Sequence, residues 1–286
     1  MIHAIFKNLF LSTLLTGLLL AGLRGMIAQG YASTVQSYDG RQMIVHVPDR
    51  LPPSGSRALV IVLHGGLGNA QRIASRQAES GLNMDAVAER NGFIVAYLDG
   101  TPVTRRFGSQ FLGWNAGGGC CGMSAVNNVD DVAYIKGAVA ALASRYGIDR
   151  TRIYGIGHSN GAIMAQRLAC ETHLFAAVVA ISGPLNLQVS SCPAARGTRI
   201  LALHGANDQN VPVAGGQGSK GLSFTVFNSE DRSRRTFLNS GATYTLQIVP
   251  GADHPLDHIE AAIMKTEGVT IAEKSARFFG LLKSKP

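Results

Sequence analysis

A serine between two glycines is the first candidate for chemistry in this chain of 286 residues. Ser159 stands at the centre of residues 157–161, which read Gly-His-Ser-Asn-Gly. The residues before this pentapeptide (152–156) predict a short buried strand, and those after it (162–169) predict an amphipathic helix. A G-x-S-x-G at such a junction is a nucleophile elbow, in which a turn too tight for side chains at the glycines presents the serine hydroxyl at the edge of a sheet. The pattern predicts that Ser159 is a nucleophile.

The serine needs two partners, because its hydroxyl becomes nucleophilic only when an oriented base accepts its proton. Asp208 lies a few residues after the apolar stretch 199–203, and His254 lies just after the stretch 244–249. Loops at the ends of two predicted strands would supply an acid and then a histidine, in the chain order that α/β-hydrolases use. Asp208 could instead be a turn aspartate that caps the next segment, and His258 is the rival base.

Three other histidines fit structural roles better than catalytic ones. His64 and His204 each follow directly on a predicted strand, where a structural role is the simpler interpretation. His158 is too close to Ser159 in sequence to act as its base.

Stabilisation of a developing oxyanion requires two backbone N–H groups aimed at one point. The residue after the nucleophile, Asn160, is expected to supply one, and the loop after residues 58–63 is expected to supply the other. Gly66 is the first choice in that loop and Leu67 the second, because glycines let the backbone approach a substrate closely. An ordinary flexible turn between a strand and a helix is compatible with the same residues.

The elements that must position these residues follow an alternating pattern of strands and helices. Residues 35–47 predict a hairpin that turns at Asp39-Gly40. Residues 58–63 form a continuous apolar run, typical of a strand buried on both faces. Further strands are predicted at 93–98 and 176–181. Strands separated by helices indicate an α/β fold, with a mostly parallel central sheet and helices on both faces.

Helices are predicted at 74–91, 127–146 and 272–282. Asn128 or Asp130 would cap the start of the helix over 127–146, and Gly147 would end it.

Composition indicates a single large globular domain. The sequence is 46% hydrophobic and 15% charged, with no long linker and no internal repeat. The formal net charge is +8, but the basic residues are scattered, so no nucleic-acid interface is predicted. The cysteines lack the C-x-x-C spacing of a zinc site. We therefore expect no metal and no cofactor, and the sequence makes no prediction about oligomeric state.

The first 32 residues predict an export signal, which would leave residues 33–286 as the mature domain. Lys7 provides a positive start, and residues 9–20 form an apolar stretch of signal-peptide length. A transmembrane anchor is the alternative, but the apolar run is short for that and Arg24 interrupts it. We expect a secreted or periplasmic protein without a stable membrane anchor.

Export to an oxidising compartment permits disulfides among the four cysteines. Cys170 ends the helix after the elbow and Cys192 lies in the loop after the next strand, so we predict a bridge between them. The adjacent Cys120 and Cys121 could form a vicinal pair, stay reduced or pair elsewhere. Four cysteines allow three connectivities, and the sequence alone does not choose among them.

Several blocks of the chain together resemble the secreted α/β-hydrolase family that groups polyhydroxybutyrate depolymerases with feruloyl and acetylxylan esterases. They cover nearly all of the chain after the signal, and they are residues 62–65, 113–115 with 120–121, 128–132, 157–162, 204–208, 211–212 and 215–216. The resemblance implies an α/β-hydrolase fold with Ser159, Asp208 and His254 as the catalytic triad. The chain departs from the family after His254, where residues 255–257 read Pro-Leu-Asp in place of the usual Trp-Pro-Gly. That departure suggests a different shape for this side of the pocket.

The resemblance further implies a small or oligomeric ester substrate, either a feruloyl or acetyl ester of plant polysaccharide or a short polyhydroxyalkanoate ester. Trp114, the only tryptophan, is expected either to line an acyl pocket as a substrate-binding residue or to belong to the core. A separate substrate-binding domain, usual in depolymerases of crystalline polyester, is not expected, which favours soluble esters. The alternatives are a peptidase or acyltransferase with the same triad, and a binding protein that has kept the fold.

Overall fold

The fold is known from a computed structural model that describes residues 33–78, 81–104, 110–221 and 224–282. The predicted export signal lies outside these residues. Within the described part of the chain, no helix combines the length and the hydropathy needed to cross a membrane.

A sheet of eight strands positions the candidate residues. In chain order its strands are β1 (Ser33–Tyr38), β2 (Arg41–His46), β3 (Arg57–Leu63), β4 (Ile94–Leu98), β5 (Ile148–His158), β6 (Ala177–Ile181), β7 (Arg199–Gly205) and β8 (Thr243–Val249). They lie side by side in the order β1-β2-β4-β3-β5-β6-β7-β8. The pairs β1–β2 and β2–β4 are antiparallel, and all the other neighbours are parallel. The predicted mostly parallel sheet is confirmed.

Helices cover the sheet from both sides, as predicted. They are α1 (Ala70–Ile73), α2 (Asp85–Asn91), α3 (Gly122–Val126), α4 (Asp131–Tyr146), α5 (Asn160–Glu171), α6 (Glu230–Leu238), α7 (Leu256–Glu267) and α8 (Ile271–Phe279). Apolar side chains of α4, α5 and α6 belong to one hydrophobic cluster, and those of α1, α2, α7 and α8 belong to a second one. The minor elements are a 3-10 helix (Pro193–Ala195) and two short ribbons (Thr101–Pro102 with Leu112–Gly113, and Gly216–Gln217 with Val226–Phe227).

Strand β3 shows how the sequence produces two covered faces. Its successive side chains alternate between the clusters: Leu59, Ile61 and Leu63 enter one, whereas Ala58, Val60 and Val62 enter the other. All six are buried. Burial of each larger side chain contributes about 1.5–3 kcal/mol, so β3 firmly anchors the loop that follows it.

The predicted helix over 74–91 is wrong in its first half, because α1 ends at Ile73, α2 begins at Asp85, and the described residues between them are not helical. Ser75 explains the break, because its Oγ accepts hydrogen bonds from the N–H groups of Gln77 and Ala78 at 3.1 and 3.2 Å. Such side-chain bonds compete with the helical ladder. Gly81 packs closely against Ser75, and a Cβ at position 81 would collide with the carbonyl oxygen of Ser75.

The predicted helix over 127–146 begins later than expected, at Asp131. Of the two predicted caps, Asp130 is the one that the structure uses, because its carboxylate accepts a hydrogen bond of 2.9 Å from the Ala133 N–H. Gly147 ends the helix in the left-handed conformation, with φ at 61°, as the sequence predicts.

Candidate active site

The turn from β5 into α5 holds Ser159 in a conformation that few residues adopt. Its φ is 54° and its ψ is −123°, a region that costs about 1–3 kcal/mol and persists only where surrounding contacts impose it. One such contact is the Ser159 N–H, which donates to the carbonyl of Ile181 in β6 at 2.8 Å. A Cβ on Gly157 would collide with the backbone of Gly161, and a Cβ on Gly161 would collide with the carbonyl oxygen of Leu63. The turn therefore requires both glycines.

The structure brings Ser159, Asp208 and His254 together at the carboxyl ends of β5, β7 and β8. Ser159 Oγ lies 2.9 Å from His254 Nε2, and His254 Nδ1 lies 2.8 Å from Asp208 Oδ2. The Asp208 side chain is fully buried, and that of His254 is 12% exposed. With Nδ1–H donated to the carboxylate, the free Nε2 can accept the hydroxyl proton of the serine.

The surroundings of Asp208 keep its carboxyl group ionised. Burial alone would raise the pKa of Asp208, but hydrogen bonds from His204, His254 and the Val211 N–H outweigh it and hold that pKa well below its ordinary value. The N–H groups of Asn210 and Val211 both donate to Oδ1 at 2.9 Å. The other carboxylate oxygen is left to face the two imidazoles.

The rival base, His258, lies at the surface. It is on α7, its side chain is 56% exposed, and it pairs with the carboxylate of Asp253. His254 occupies the position against Ser159 because it precedes α7, in the loop that leaves β8.

Two further histidines near the site, His158 and His64, have neutral imidazole rings. His158 Nε2 donates to the backbone carbonyl of His254 at 2.9 Å, and the two rings lie 5.1 Å apart. Burial, aided by the nearby His254, lowers the pKa of His158 to about 3. Burial likewise lowers the pKa of His64 to about 4, and its Nε2 accepts a hydrogen bond of 3.0 Å from the Gly100 N–H. The hydrogen bond from His158 thus holds the backbone of His254 in place.

Asn160, the first residue of α5, has an N–H without a partner in the helical ladder, as the first residues of every helix do. Its side chain forms two hydrogen bonds to the backbone of Trp114: Oδ1 accepts from the N–H at 2.7 Å and Nδ2 donates to the carbonyl at 3.0 Å. A Cβ on Gly66 would lie 3.8 Å from the Cβ of Asn160. The two residues predicted for the oxyanion hole are therefore neighbours.

The indole of Trp114 lies in the core, with 0% of the residue exposed. Its Nε1 donates to the carbonyl of His64 at 3.0 Å, and its ring lies 5.0 Å from the His64 ring. The structure thus gives the indole no surface with which to line a pocket. The prediction that Trp114 lines a substrate pocket is therefore wrong. Trp114 belongs to the core, and its backbone binds the side chain of Asn160.

Sequence reasoning missed the side-chain role of Asn160 and missed Glu230 altogether. Glu230 begins α6 and lies 2.7 Å from His204, whose ring in turn contacts Asp208. The Glu230 carboxylate reaches His204 from α6, an element that carries none of the predicted site residues. Its position in the sequence therefore gives no indication of this contact. The sequence did offer an indication that His204 lies near the site, because it directly follows the apolar stretch 199–203 that precedes Asp208.

Both cysteine pairs are bridged in the structure. Cys170 at the end of α5 and Cys192 before the 3-10 helix form a disulfide with a Cα–Cα distance of 4.5 Å. Cys120 and Cys121 form a vicinal disulfide, one of the options that the sequence left open. Asn160 Nδ2 lies 3.5 Å from Cys120 Sγ, so the vicinal pair adjoins the elbow. No cluster of three or more His, Cys, Asp or Glu side chains within the described ranges is arranged to hold a metal ion.

The sequence profile of the phospholipase/carboxylesterase family of α/β-hydrolases matches residues 51–241, more than half of the chain. The chain belongs to this family. The matched segment contains the elbow and Asp208, whereas His254 lies just beyond it. The predicted esterase family is confirmed.

Curated relatives of this carboxylesterase-family chain include feruloyl esterases of fungi. Feruloyl esterase B of Piromyces equi is 27% identical over 212 residues, which is 71% of this chain and 36% of that protein. Feruloyl esterase C of Emericella nidulans is 27% identical over 184 residues, covering 64% of this chain and 60% of that one. The chain thus spans between about a third and three fifths of the length of these relatives.

Solved structures confirm the predicted α/β-hydrolase fold. The acetyl xylan esterase of Aspergillus awamori superposes with a TM-score of 0.57 at 15% identity, over 88% of this chain and 100% of that one. The Bacillus cereus carboxylesterase superposes with a TM-score of 0.55 at 17% identity, over 86% of this chain and 96% of that one. At such identities the likeness concerns the fold alone.

Proposed function

We propose that the chain is an exported serine esterase that cleaves carboxylic esters through an acyl-enzyme on Ser159. The observation that carries the proposal is the row of hydrogen bonds from Ser159 through His254 to Asp208, at 2.9 and 2.8 Å, on a strained elbow. Membership of the phospholipase/carboxylesterase family supports ester hydrolysis. The signal-like pattern of residues 1–32 and the two disulfides support export.

In the first half of the proposed reaction, Ser159 Oγ attacks the ester carbonyl carbon while its proton passes to His254 Nε2. The carbonyl π electrons move to oxygen and form a tetrahedral oxyanion. The N–H groups of Asn160 and Gly66 are the proposed donors to that oxyanion. The intermediate then collapses, and the alcohol leaves with the proton that His254 received. The buried carboxylate of Asp208 stabilises the transient imidazolium.

In the second half, a water molecule gives its proton to His254 Nε2 and attacks the acyl carbon. The new tetrahedral intermediate expels Ser159 Oγ, which recovers its proton from the imidazolium. A carboxylic acid is released and the enzyme returns to its starting state.

For the substrate we propose an ester of a hydroxycinnamic or acetic acid with a plant polysaccharide, or a short polyhydroxyalkanoate ester. The feruloyl esterases among the relatives and the acetyl xylan esterase among the similar structures support the first class. The sequence blocks shared with depolymerases support the second.

An ester panel tests the proposal. Wild-type protein should release p-nitrophenol from acetate and butyrate esters and ferulate from methyl ferulate, and a fluorophosphonate probe should label Ser159. Ser159→Ala should fold normally, escape labelling and lose activity by a factor on the order of a thousand or more. A protein that cleaves aminoacyl p-nitroanilides far better than esters would be a peptidase, and near-normal activity in folded Ser159→Ala would refute the nucleophile.

A further inference from the structure

A second buried histidine stands behind the acid of the triad. His204, the last residue but one of strand β7, has a side chain with no exposed surface. Its Nε2 lies 3.1 Å from Asp208 Oδ2 and 2.8 Å from the Val211 carbonyl oxygen. Its Nδ1 lies 2.7 Å from Glu230 Oε1. Asp208 Oδ2 is therefore shared between two imidazoles, those of His204 and His254.

The surroundings of His204 require a charged ring. Oxygen acceptors face both of its nitrogens, and an imidazole that donates from both nitrogens is an imidazolium. A neutral ring would leave two buried carboxylates, Asp208 and Glu230, without a cation between them. Burial opposes the charge, but hydrogen bonds to Asp208 and Glu230 outweigh it and raise the pKa of His204 to about 10.

Glu230 is in turn placed to be an anion. It is the first residue of α6, where the positive end of the helix dipole favours a negative charge. Its Oε2 accepts a hydrogen bond of 2.6 Å from the hydroxyl of Tyr244 in β8. Both carboxylate oxygens of Glu230 thus have a donor, one from β7 and one from β8.

We propose that His204, held as an imidazolium by Glu230, is a positioning residue that fixes Asp208 and opposes protonation of His254, so that hydrolysis extends to lower pH. The inference rests on the proposed esterase function. The cation lies directly against the carboxylate oxygen that His254 uses, whereas Glu230 lies on the far side of the His204 ring. The nearer positive charge therefore dominates at His254.

The other titratable groups around the pair do not supply this charge. His158 packs against the His254 ring from the elbow, and burial keeps it neutral. Tyr244 faces Glu230 from β8 and stays neutral, because burial and the neighbouring carboxylate raise its pKa well above its ordinary value. Asp253 is partly exposed and pairs with His258.

Glu230→Gln is the decisive variant, because it nearly preserves shape and removes the partner that keeps His204 charged. A neutral His204 can still donate from Nε2 and accept from the new amide at Nδ1. Without the cation, the acid limb of kcat/KM for p-nitrophenyl acetate should move to higher pH by about half a unit to one unit. Tyr244→Phe is the matched control, since it removes a hydrogen bond from the same carboxylate and keeps the charges, so its acid limb should stay in place.

Nitrogen-15 NMR of the histidine rings tests the same inference without substrate. In wild-type protein at pH 8, His204 should show two protonated nitrogens, and in Glu230→Gln one; His204→Gln assigns the signals. The titration midpoint of His254 should rise in Glu230→Gln by the same amount as the acid limb. A neutral His204 in the wild type at pH 8, or an unchanged His254 midpoint in a folded Glu230→Gln, would overturn the inference. Absent esterase activity would contradict the proposed function, and the His254 midpoint would still decide the role of His204.

Discussion

At the scale of single residues, two histidines four positions apart have very different surroundings. His254 lies 2.9 Å from the serine oxygen, and His258 is 56% exposed beside Asp253. We predict that His254→Ala loses activity by a factor on the order of a thousand or more, because His254 is the one base that contacts the Ser159 hydroxyl among the residues that the structure describes. His258→Ala, the matched control, should keep kcat/KM of the wild type on p-nitrophenyl acetate. An inactive His258 variant beside an active His254 variant would reverse the assignment.

Asn160 gives a second prediction at this scale, since its side chain and its backbone have separable roles. Asn160→Ala keeps the N–H proposed for the oxyanion but loses both hydrogen bonds to the Trp114 backbone. We expect kcat to fall about tenfold with KM nearly unchanged, because the donor itself remains; deletion of an oxyanion donor costs more, roughly 10²–10³-fold in kcat.

Steady-state kinetics on a short acyl ester measures both constants of Asn160→Ala. Gln188→Ala is a suitable control, because it removes a side-chain amide whose hydrogen bond goes to Asn228 and to no residue of the elbow. A rise in KM at constant kcat would instead mean that the Asn160 side chain acts in ground-state binding.

The residues that the structure brings together were predictable where they follow strands directly. Ser159, Asp208 and His254 each come after an apolar stretch, and parallel strands end at one edge of the sheet. Glu230 was not predictable, because it enters through the packing of α6 against β7 and β8. The burial of Trp114 is likewise a tertiary property, which glycine-rich surroundings in the sequence do not reveal.

At the scale of elements, strands were predicted better than helices. The strands β3, β4 and β6 contain continuous apolar runs, since both of their faces are covered, and their shortness and β-branched residues favour a strand over a helix. The stretch 74–91 has helical composition, but the Ser75 hydroxyl bonds to the following N–H groups and breaks it. Helix α7 escaped prediction although it begins directly after Pro255, a residue common at helix starts.

The bridge between the end of α5 and the segment after β6 allows a prediction at this scale. Cys170 and Cys192 are 22 residues apart, and a disulfide over such a loop stabilises a fold by about 3 kcal/mol on the loop-entropy model. Replacing both cysteines by alanine should lower the urea midpoint accordingly, and a non-reduced digest of the wild type should contain the linked peptide.

A test with a reductant requires a variant without the vicinal disulfide, because a reductant would also act on Cys120–Cys121. In a Cys120→Ala/Cys121→Ala background, a reductant can act only on the bridge between Cys170 and Cys192. The reductant should lower the urea midpoint of this double variant. It should have no effect on a variant in which Cys170 and Cys192 are also alanine. Free thiols at both positions under oxidising conditions would contradict the bridge.

At the scale of the whole molecule, buried ionisable groups near the site link its chemistry to the stability of the fold. His64 and His158 have pKa values lowered to about 4 and about 3 by burial, so the folded state keeps them neutral. The unfolded chain protonates histidine below about pH 6.5, so the unfolded state binds more protons and the free energy of unfolding falls as the solution is acidified. Asp208, whose pKa is lowered, adds to this loss at still lower pH.

His204 acts in the opposite direction. Its pKa is raised to about 10 in the folded state, so its contribution to stability is complete below about pH 6.5 and is lost progressively as the pH rises towards 10. We therefore predict that the urea midpoint is highest near neutral pH and falls on both sides, in scans at pH 4.5, 7 and 9.5. Glu230→Gln should flatten the alkaline fall, because it removes the charge of His204, and steepen the acid fall, because the neutral buried His204 would then take up its proton on unfolding, as His64 and His158 do. A wild-type midpoint that keeps rising from pH 7 to 9.5 would show that no buried imidazolium stabilises the fold.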